Sequence, residues 1–433
     1  MCTFKITNNP NKIPVDDLLP LGGPTLSNNV DLGGVYVNYH LLSITGEITP
    51  QPVEREGKQF LLLGEIYNYD ISLPSDIYFG IEKYLEYGDR FTEHLDGEFL
   101  FIVIDRDKID FFTDPWSTRQ CYYTEDDNWY FSTFRINTRS QRLLHNSHYR
   151  FYIESEMLQH VNNELIGWNL DQNVKSLDEV ENAFTEAVLK KWYPNSTLFL
   201  SGGLDSGSVA LCLSENKKPF NSISLMMYPD VEDQETLNEI LKRCASNHYT
   251  VSEISQKYNT RKLTFTDGSN YPCIHPATYE IVFPHQAEIR KQTKMQFNSK
   301  VTLMGNGGDE ILDNYRNKGF LDRRFEIWPD DLSSIFPWWT FYGGQTRQHL
   351  DFHETYNLNF GLELRNIFYD KKLAQAWLNV DVSIKNKEPK VFVKNYFRER
   401  QIPIPKYPVS GFGHQGPVKY KKYMENDRKI WGI

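Results

Sequence analysis

The sequence predicts a two-domain α/β protein, with layered β-sheets in the first part of the chain and a parallel sheet in the second. Three observations indicate this fold class. The chain has 433 residues, 40% of them hydrophobic, which suffices for two or three domains of ~150 residues. Short β-branched and aromatic segments dominate the first third of the chain. Apolar strands then alternate with amphipathic helices. We therefore predict domains at residues 1–165 and 166–433.

The first domain is predicted to consist mainly of β-strands. The predicted strands are residues 34–40, 59–66, 98–105, 108–113 and 128–134, and clusters of Asn, Asp, Gly and Pro separate them. Residues 98–104, EFLFIVI, are almost continuously apolar, which is typical of a strand covered on both faces. The domain should therefore consist of sheets stacked in layers.

The second domain alternates helices and strands. Ser176 and Glu179 form a capping-box pattern at the start of a helix predicted over residues 176–192, where apolar side chains recur at helical spacing. The next predicted elements are a strand at 197–200, a helix at 207–214, a strand at 222–227, a helix at 235–246 and a strand at 301–304. This alternation predicts a parallel sheet with helices on both faces.

Composition excludes several classes of function. The net charge of −10 provides no general basic surface for nucleic acid or anionic lipid. The five cysteines are odd in number and form no C-x-x-C pair, which argues against structural zinc and favours a reducing compartment. The sequence contains no signal-peptide pattern and no run of ~18 apolar residues. We therefore expect a cytoplasmic protein that binds neither nucleic acid nor membrane.

The motif SGGLDS, residues 201–206, lies between a predicted strand and a predicted helix. At such a turn, successive backbone N–H groups and the helix N-terminus can hold an anion. Gly202 and Gly203 let the backbone approach a phosphate closely, and the hydroxyls of Ser201 and Ser206 add donors. The motif matches neither the lysine-containing loop of kinases and motor ATPases nor the dinucleotide fingerprint of dehydrogenases. The turn is therefore predicted to bind nucleotide phosphates.

SGGLDS resembles the pyrophosphatase-type loop, or PP-loop, of enzymes that split ATP between its α- and β-phosphates. Further motifs occur in the order found in the asparagine synthetase family, which includes β-lactam synthetases and lasso-peptide cyclases. They are LGEIYNYD (63–70), YGDRFTEHLDGEFLF (87–101), TDPWSTRQCYY (113–123), GNGGDE (305–310), FGLELRNIFYDKKL (360–373) and SGFG (410–413). The resemblance implies an Ntn-hydrolase-like glutamine amidotransferase type 2 domain at 1–165. It also implies a PP-loop, adenine nucleotide α-hydrolase-like ligase domain at 166–433.

The resemblance assigns roles in the ligase domain. It implies that Asp205 and Asp309 hold Mg²⁺ on the phosphates of ATP, and that Lys406 stabilises charge on the phosphates and the intermediate. The implied ATP-binding residues are Ser201, Gly202, Gly203, Leu204, Asp205 and Ser206 for pyrophosphate, and Leu225 and Gly305 for adenosine.

Asn306 departs from the family pattern, because relatives carry a glutamate or a tyrosine there. An amide cannot accept a proton, so this position cannot supply a general base. Either His275, Glu280 or Glu310 supplies the base, or the amine arrives already neutral.

The resemblance also implies a glutaminase site, but two positions depart from the pattern. Cys2 would be the N-terminal nucleophile once Met1 is removed, with Gly64, Glu65 and Asp96 as further glutamine-site residues. Leu63 replaces an asparagine that completes the oxyanion hole in relatives, a loss worth ~10²- to 10³-fold in rate at comparable sites. Leu41 replaces an arginine that binds the glutamine carboxylate. We therefore expect the domain to keep its fold and to hydrolyse glutamine poorly.

The leading hypothesis is an ATP-dependent, AMP- and pyrophosphate-forming amide ligase. Its substrates would be a small-molecule or peptide carboxylate and an amine or ammonia, with ATP and Mg²⁺ as cofactors. One alternative is a glutamine-hydrolysing asparagine synthetase. Another, from a different class, is a catalytically silent scaffold that binds nucleotide.

Overall fold

The structure is a computed structural model that describes residues 2–9, 26–125, 127–134, 139–162, 164–225, 234–244, 246–252, 284–313 and 327–405. The N-terminal strands are β1 (Cys2–Thr7), β2 (Leu26–Asp31), β3 (Tyr36–Leu41), β4 (Val53–Arg55), β5 (Lys58–Ile66), β6 (Gly97–Ile104), β7 (Lys108–Thr113), β8 (Tyr122–Glu125), β9 (Trp129–Ser132), β10 (Gln141–Arg142), β11 (His148–Tyr152) and β12 (Met157–Asn162). Helix α1 (Asp76–Tyr87) and a 3₁₀ helix (Gly88–His94) lie between β5 and β6.

The C-terminal strands are β13 (Thr197–Phe199), β14 (Asn221–Leu225), β15 (Asn247–Val251), β16 (Val301–Met304) and β17 (Glu363–Asn366). The helices are α2 (Asp178–Lys191), α3 (Leu204–Glu215), α4 (Gln234–Arg243), α5 (Pro284–Phe297), α6 (Gly308–Leu312), α7 (Trp339–Tyr342), α8 (Gly344–Asn359), α9 (Lys371–Asn379), α10 (Val382–Lys385) and α11 (Val391–Glu399), with a 3₁₀ helix at Leu332–Ser334.

Two antiparallel sheets form the N-terminal part, with strand orders β10-β8-β9-β1-β3-β2 and β12-β11-β7-β6-β5-β4. Their facing side chains share one hydrophobic core, to which β1 contributes Phe4 and β6 contributes Leu100 and Ile102. The alternate residues of β6, Phe99 and Phe101, pack on the opposite side in the core that includes α1. Strand β6 is therefore covered on both faces, and the predicted layered sheets are confirmed.

A five-stranded parallel sheet of order β15-β14-β13-β16-β17 forms the centre of the C-terminal part. Helices α2, α3 and α4 share a core with one face of this sheet. Ile289 of α5 packs with Phe199 and Ile223 on the other face. The predicted fold class is thus confirmed. Because strand order reverses between β13 and β16, a crevice opens at their carboxyl ends, where α/β sheets bind ligands.

The start of α2 differs from the predicted capping box. The first residue of α2 is Asp178, and the carbonyl of Leu177 accepts the first helical hydrogen bond, from the N–H of Glu181 at 2.9 Å. Ser176 therefore precedes the cap, and its hydroxyl accepts only from the N–H of Asp178, at 3.4 Å. The capping-box prediction was wrong, because the serine lies one residue too early to cap the helix.

The two parts of the chain share buried contacts. Trp116, in the loop after β7, belongs to the hydrophobic core of the C-terminal part, and its Nε1 donates to the carbonyl of Phe341 at 3.0 Å. Nearby, Arg119 donates to both carboxylate oxygens of Glu354 in α8, at 2.8 and 2.9 Å. Both charged side chains are 3% exposed. The division at residue 165 remains a prediction.

Cys121, Cys212 and Cys244 are buried free thiols. Within the ranges given above, every helix is too short or too polar to cross a bilayer.

Candidate active site

The SGGLDS loop connects β13 to α3 at the carboxyl edge of the parallel sheet. Hydroxyl groups hold the loop in a tight turn, because Ser206 Oγ accepts from the N–H of Ser201 at 3.0 Å and Ser201 Oγ accepts from the N–H of Gly203 at 3.1 Å. Gly203 is the N-cap of α3 and has no side chain to occupy the first backbone N–H groups. The start of α3 therefore presents N–H donors to an anion in the crevice.

The GNGGDE loop connects β16 to α6 and lies directly against the first loop. A Cβ atom at Gly305 would lie 2.8 Å from the nitrogen of Ser206, and one at Gly308 would lie 2.5 Å from Cγ of Asp205. Gly307 has φ of 96°, in the left-handed region. Glycine at these positions lets the backbones of the two loops touch, which brings the two predicted metal ligands to the same crevice.

Asp205 and Asp309 share a lysine that the sequence analysis missed. Nζ of Lys390 lies 2.8 and 3.0 Å from the carboxylate oxygens of Asp205 and 2.5 Å from Oδ1 of Asp309. Burial alone would lower the pKa of Lys390, but the two carboxylates outweigh burial and raise the pKa above its usual value. The ammonium group is therefore a permanent cation at the site. Lys406, predicted for this role, lies outside the described residues.

The two carboxylates fit a magnesium ion that also binds phosphate. Within the described part of the chain, no group of three or more His, Cys, Asp or Glu residues could hold a metal. Mg²⁺, however, is usually bound by one or two carboxylates, with substrate phosphates and water completing the octahedron. The Lys390 ammonium already bridges Asp205 and Asp309, which shows that the pair accommodates a shared cation.

The remaining predicted ATP-binding residues flank these loops. Leu225 is the last residue of β14, and Gly305 directly follows β16. Because β14 and β16 are the two neighbours of β13, these residues lie on opposite sides of the SGGLDS loop. The structure therefore brings together the whole predicted set from Ser201 to Gly305.

Asn306 and Glu310 occupy different environments in the second loop. Nδ2 of Asn306 donates to Oδ1 of Asn366 at 3.3 Å. Oε2 of Glu310 accepts from the N–H of Gly307 at 3.2 Å, and Oε1 lies 3.5 Å from Nδ1 of His349. Burial, followed by the charge of Asp309, raises the pKa of Glu310 to about 8. Glu310 thus stabilises the loop, and the other candidate bases, His275 and Glu280, lie outside the described residues.

Two leucines replace polar residues that the resemblance predicts in the glutaminase site. Cys2 is the first residue of β1 and pairs with Leu41 of β3. Leu41 and Leu63 are 6% and 2% exposed and both belong to the core between the two sheets. Two positions that contact glutamine in relatives are therefore part of a hydrophobic core.

Two of the other predicted glutamine-site residues, Asp96 and Glu65, contact the C-terminal part. The carboxylate of Asp96 lies 2.7 Å from Nζ of Lys190, and that of Glu65 lies 3.8 Å from Nη2 of Arg365. Burial, followed by the charge of Glu363, raises the pKa of Glu65 to about 8. Gly64 has φ of 98° and adjoins the Glu98 carbonyl so closely that a Cβ would lie 1.9 Å from its oxygen. Asp96 and Glu65 therefore face an interface between the two parts, whereas Gly64 packs against Glu98 and Arg119 of the N-terminal part.

Comparison with known proteins gives one family match, which lies within the C-terminal part. Residues 179–359 match the family model "Asparagine synthase", a stretch that includes both glycine-rich loops but not Lys390. A search of curated proteins found no match.

Two solved structures match at low similarity. Glutamine phosphoribosylpyrophosphate amidotransferase from B. subtilis, complexed with ADP and GMP, has 10% identity and a TM-score of 0.27. An allosteric regulatory enzyme of purine biosynthesis has 9% identity and a TM-score of 0.28. Each match covers 63% of this chain and 76% of the other. These TM-scores are too low to support a functional assignment. Residues 179–359 are therefore similar to the asparagine synthase family over 181 of the 433 residues of the chain.

Proposed function

We propose that this protein is an amide ligase that forms AMP and pyrophosphate, adenylating a small-molecule or peptide carboxylate for attack by an amine or ammonia. The observation that carries the proposal is the contact between the two glycine-rich loops, which gathers Asp205, Asp309 and Lys390 beside the N-terminus of α3. Two carboxylates for a metal, a fixed ammonium group and the N–H groups at the start of α3 match the needs of a pyrophosphate leaving group.

In the proposed reaction, a carboxylate oxygen of the substrate attacks the α-phosphorus of ATP. The bond between the α-phosphorus and the oxygen that bridges to the β-phosphorus breaks, and pyrophosphate is released. Backbone N–H groups of residues 201–206 would bind the departing pyrophosphate. Lys390 would donate to its oxygens as their negative charge grows. Mg²⁺ held by Asp205 and Asp309 would neutralise charge on the phosphates. A neutral amine then attacks the acyl carbon, the bond between this carbon and the AMP oxygen breaks, AMP leaves, and the surplus amine proton passes to solvent.

The burial of Leu41 and Leu63 favours an amine other than ammonia released from glutamine. Leu41 and Leu63 offer no polar contact to the glutamine carboxylate or to an oxyanion, and Asp96 already binds Lys190. A separate amine, free ammonia, or an amine on the same substrate that closes a ring are the remaining nucleophiles.

The proposal is tested by exchange of labelled pyrophosphate into ATP in the presence of a panel of carboxylic acids and MgCl₂. Adenylation is reversible, so an acid that serves as substrate must stimulate the exchange. ATP that binds without any acid-stimulated exchange across aliphatic, amino-acid and peptide acids would instead identify a nucleotide-binding scaffold.

Cys2→Ala is expected to leave acid-stimulated pyrophosphate exchange within about 2-fold of wild type, because Cys2 belongs to the N-terminal sheets and not to the crevice. Glutamate release from glutamine should be negligible in both proteins, as an oxyanion donor is missing. The assay measures glutamate with and without aspartate. Rapid glutamate release that Cys2→Ala abolishes would indicate a glutamine-hydrolysing asparagine synthetase.

Gly308→Ala is expected to reduce pyrophosphate exchange ~100-fold, because misplacement of a reacting group by about 1 Å costs this much. The added methyl group would lie 2.5 Å from Cγ of Asp205 and push that carboxylate away from Lys390. Gly167→Ala is the matched control, since a Cβ there meets no atom within 4 Å. Equal exchange rates in the two variants would show that contact between the loops is unimportant.

A further inference from the structure

A buried ion pair between Glu98 of the N-terminal part and Lys191 of α2 binds the backbone of Asn366, whose side chain contacts the GNGGDE loop. We infer that Glu98 of β6 is a positioning residue of the synthetase centre, acting through Asn366 to orient the side chain of Asn306. This inference rests on the function proposed above, and it assigns the N-terminal part a role other than glutamine hydrolysis.

Glu98 and Lys191 hold both backbone polar groups of Asn366. Oε1 of Glu98 accepts from the N–H of Asn366 at 2.9 Å and from Nζ of Lys191 at 3.0 Å. Nζ of Lys191 also donates to the carbonyl of Asn366 at 2.6 Å. Both charged side chains are 1% exposed. Charge-assisted hydrogen bonds in such a site are short and strong, so the backbone of Asn366 has one defined position.

Asn366 transmits this position to the second glycine-rich loop. It is the last residue of β17 and pairs in parallel register with Met304, the last residue of β16. Oδ1 of Asn366 accepts from Nδ2 of Asn306 at 3.3 Å, and Asn306 lies two residues after Met304. With Nδ2 directed to Asn366, the acceptor that Asn306 can offer to a ligand is Oδ1.

An oriented amide oxygen suits an incoming amine. Asn306 cannot take a proton from the amine, but its Oδ1 can accept an N–H and align the nitrogen with the acyl carbon. The amide of Asn306 therefore positions the nucleophile where relatives place a base. The ion pair that fixes this amide requires Glu98, which explains why the N-terminal sheets contribute to a centre that lies in the C-terminal part.

Glu98→Gln tests the link, because glutamine has nearly the same shape but leaves Lys191 without the carboxylate. Glu354→Gln is the matched control. Glu354 is similarly buried and pairs with Arg119, which also contacts Glu98 and the carbonyl of Leu364 in β17, but Glu354 does not itself hold the backbone of Asn366 as Glu98 does. The two variants should lose similar thermal stability, so differences between them report on the link itself.

The first measurement is hydrogen–deuterium exchange of a peptide that covers residues 305–307. We expect exchange to be at least ~10-fold faster in Glu98→Gln than in Glu354→Gln, since only the former replaces the charge-assisted hydrogen bonds to Asn366 and Lys191 by weaker bonds to a neutral amide. Asn366→Ala should show the same acceleration, and Asn366→Asp, which keeps an acceptor for Asn306, should restore slow exchange. Equal exchange in Glu98→Gln and Glu354→Gln would overturn the inference. If Glu98→Gln fails to fold, the deuterium exchange of residues 305–307 in Asn366→Ala tests the link, and exchange as slow as in wild type would overturn the inference.

The second measurement separates the two chemical steps, with hydroxylamine as the amine and the acids that stimulate pyrophosphate exchange. Glu98→Gln and Asn366→Ala should lower the ratio of hydroxamate formation to pyrophosphate exchange by ~10- to 100-fold, and Glu354→Gln should leave it unchanged. An equal fall in both steps contradicts a role in amine positioning. Wild-type protein without any pyrophosphate exchange would contradict the proposed function, whereas the deuterium measurement would still decide the link.

Discussion

Asp205→Asn and Asp309→Asn should each lower acid-stimulated pyrophosphate exchange by ~10³-fold or more, the largest effect expected of any substitution in this chain. Each change removes one of the two carboxylates that share Lys390 and keeps the size of the side chain. An amide is a weak ligand for Mg²⁺ in comparison with a carboxylate. Lys390 would also lose one of its two counter-charges at the crevice.

Exchange of labelled pyrophosphate at saturating MgCl₂ measures this loss, and the midpoint of thermal unfolding shows whether the variants remain folded. Asp330→Asn is the control, because Asp330 is exposed and lies away from the two loops. A variant of either site aspartate that retains a tenth of the wild-type rate would rule out that carboxylate as a metal ligand.

Local sequence patterns were sufficient to predict several strands. The strands at 108–113 and 301–304 have their predicted ends, and the strand predicted over 98–105 forms as Gly97–Ile104. The nearly continuous apolar run specifies the strand Gly97–Ile104, because a strand buried on both faces needs apolar residues at successive positions. The capping box failed because Ser176 satisfies the sequence rule, whereas the turn that precedes α2 selects Leu177 as the cap.

The two glycine-rich loops could be predicted to meet because the carboxyl ends of parallel strands lie at one edge of a sheet. Lys390 could not be predicted in the same way. It precedes α11 in a left-handed backbone conformation, with φ of 54°, and no local motif marks it. Its place between Asp205 and Asp309 depends on how α11 packs against α3 through Phe397 and Gly207. The contacts of Glu98 with Asn366 likewise join distant segments of the chain, and no local pattern reports such pairs.

Lys390→Met should lower pyrophosphate exchange by ~100-fold. It should also increase the thermal stabilisation of the protein by Mg²⁺ in the absence of nucleotide. The first effect follows because Lys390 would no longer donate to the leaving pyrophosphate. The second follows because its ammonium group now neutralises Asp205 and Asp309 in the absence of metal. Without the ammonium, two close carboxylates repel each other until another cation binds between them.

Thermal unfolding without nucleotide, at increasing MgCl₂, distinguishes these roles. Mg²⁺ should raise the unfolding temperature of the wild-type protein only slightly, because Lys390 competes with the metal for the same carboxylates. In Lys390→Met, the unfolding temperature should rise in proportion to metal binding. Lys394→Met is the matched control, since Lys394 lies one turn further along α11 and pairs with Glu388 at 3.3 Å. Identical Mg²⁺ responses in Lys390→Met and Lys394→Met, together with undiminished exchange, would show that Lys390 neither competes with metal nor binds pyrophosphate. A loss of exchange with a stronger Mg²⁺ response would instead make Lys390 the cation that holds the two loops together until nucleotide arrives.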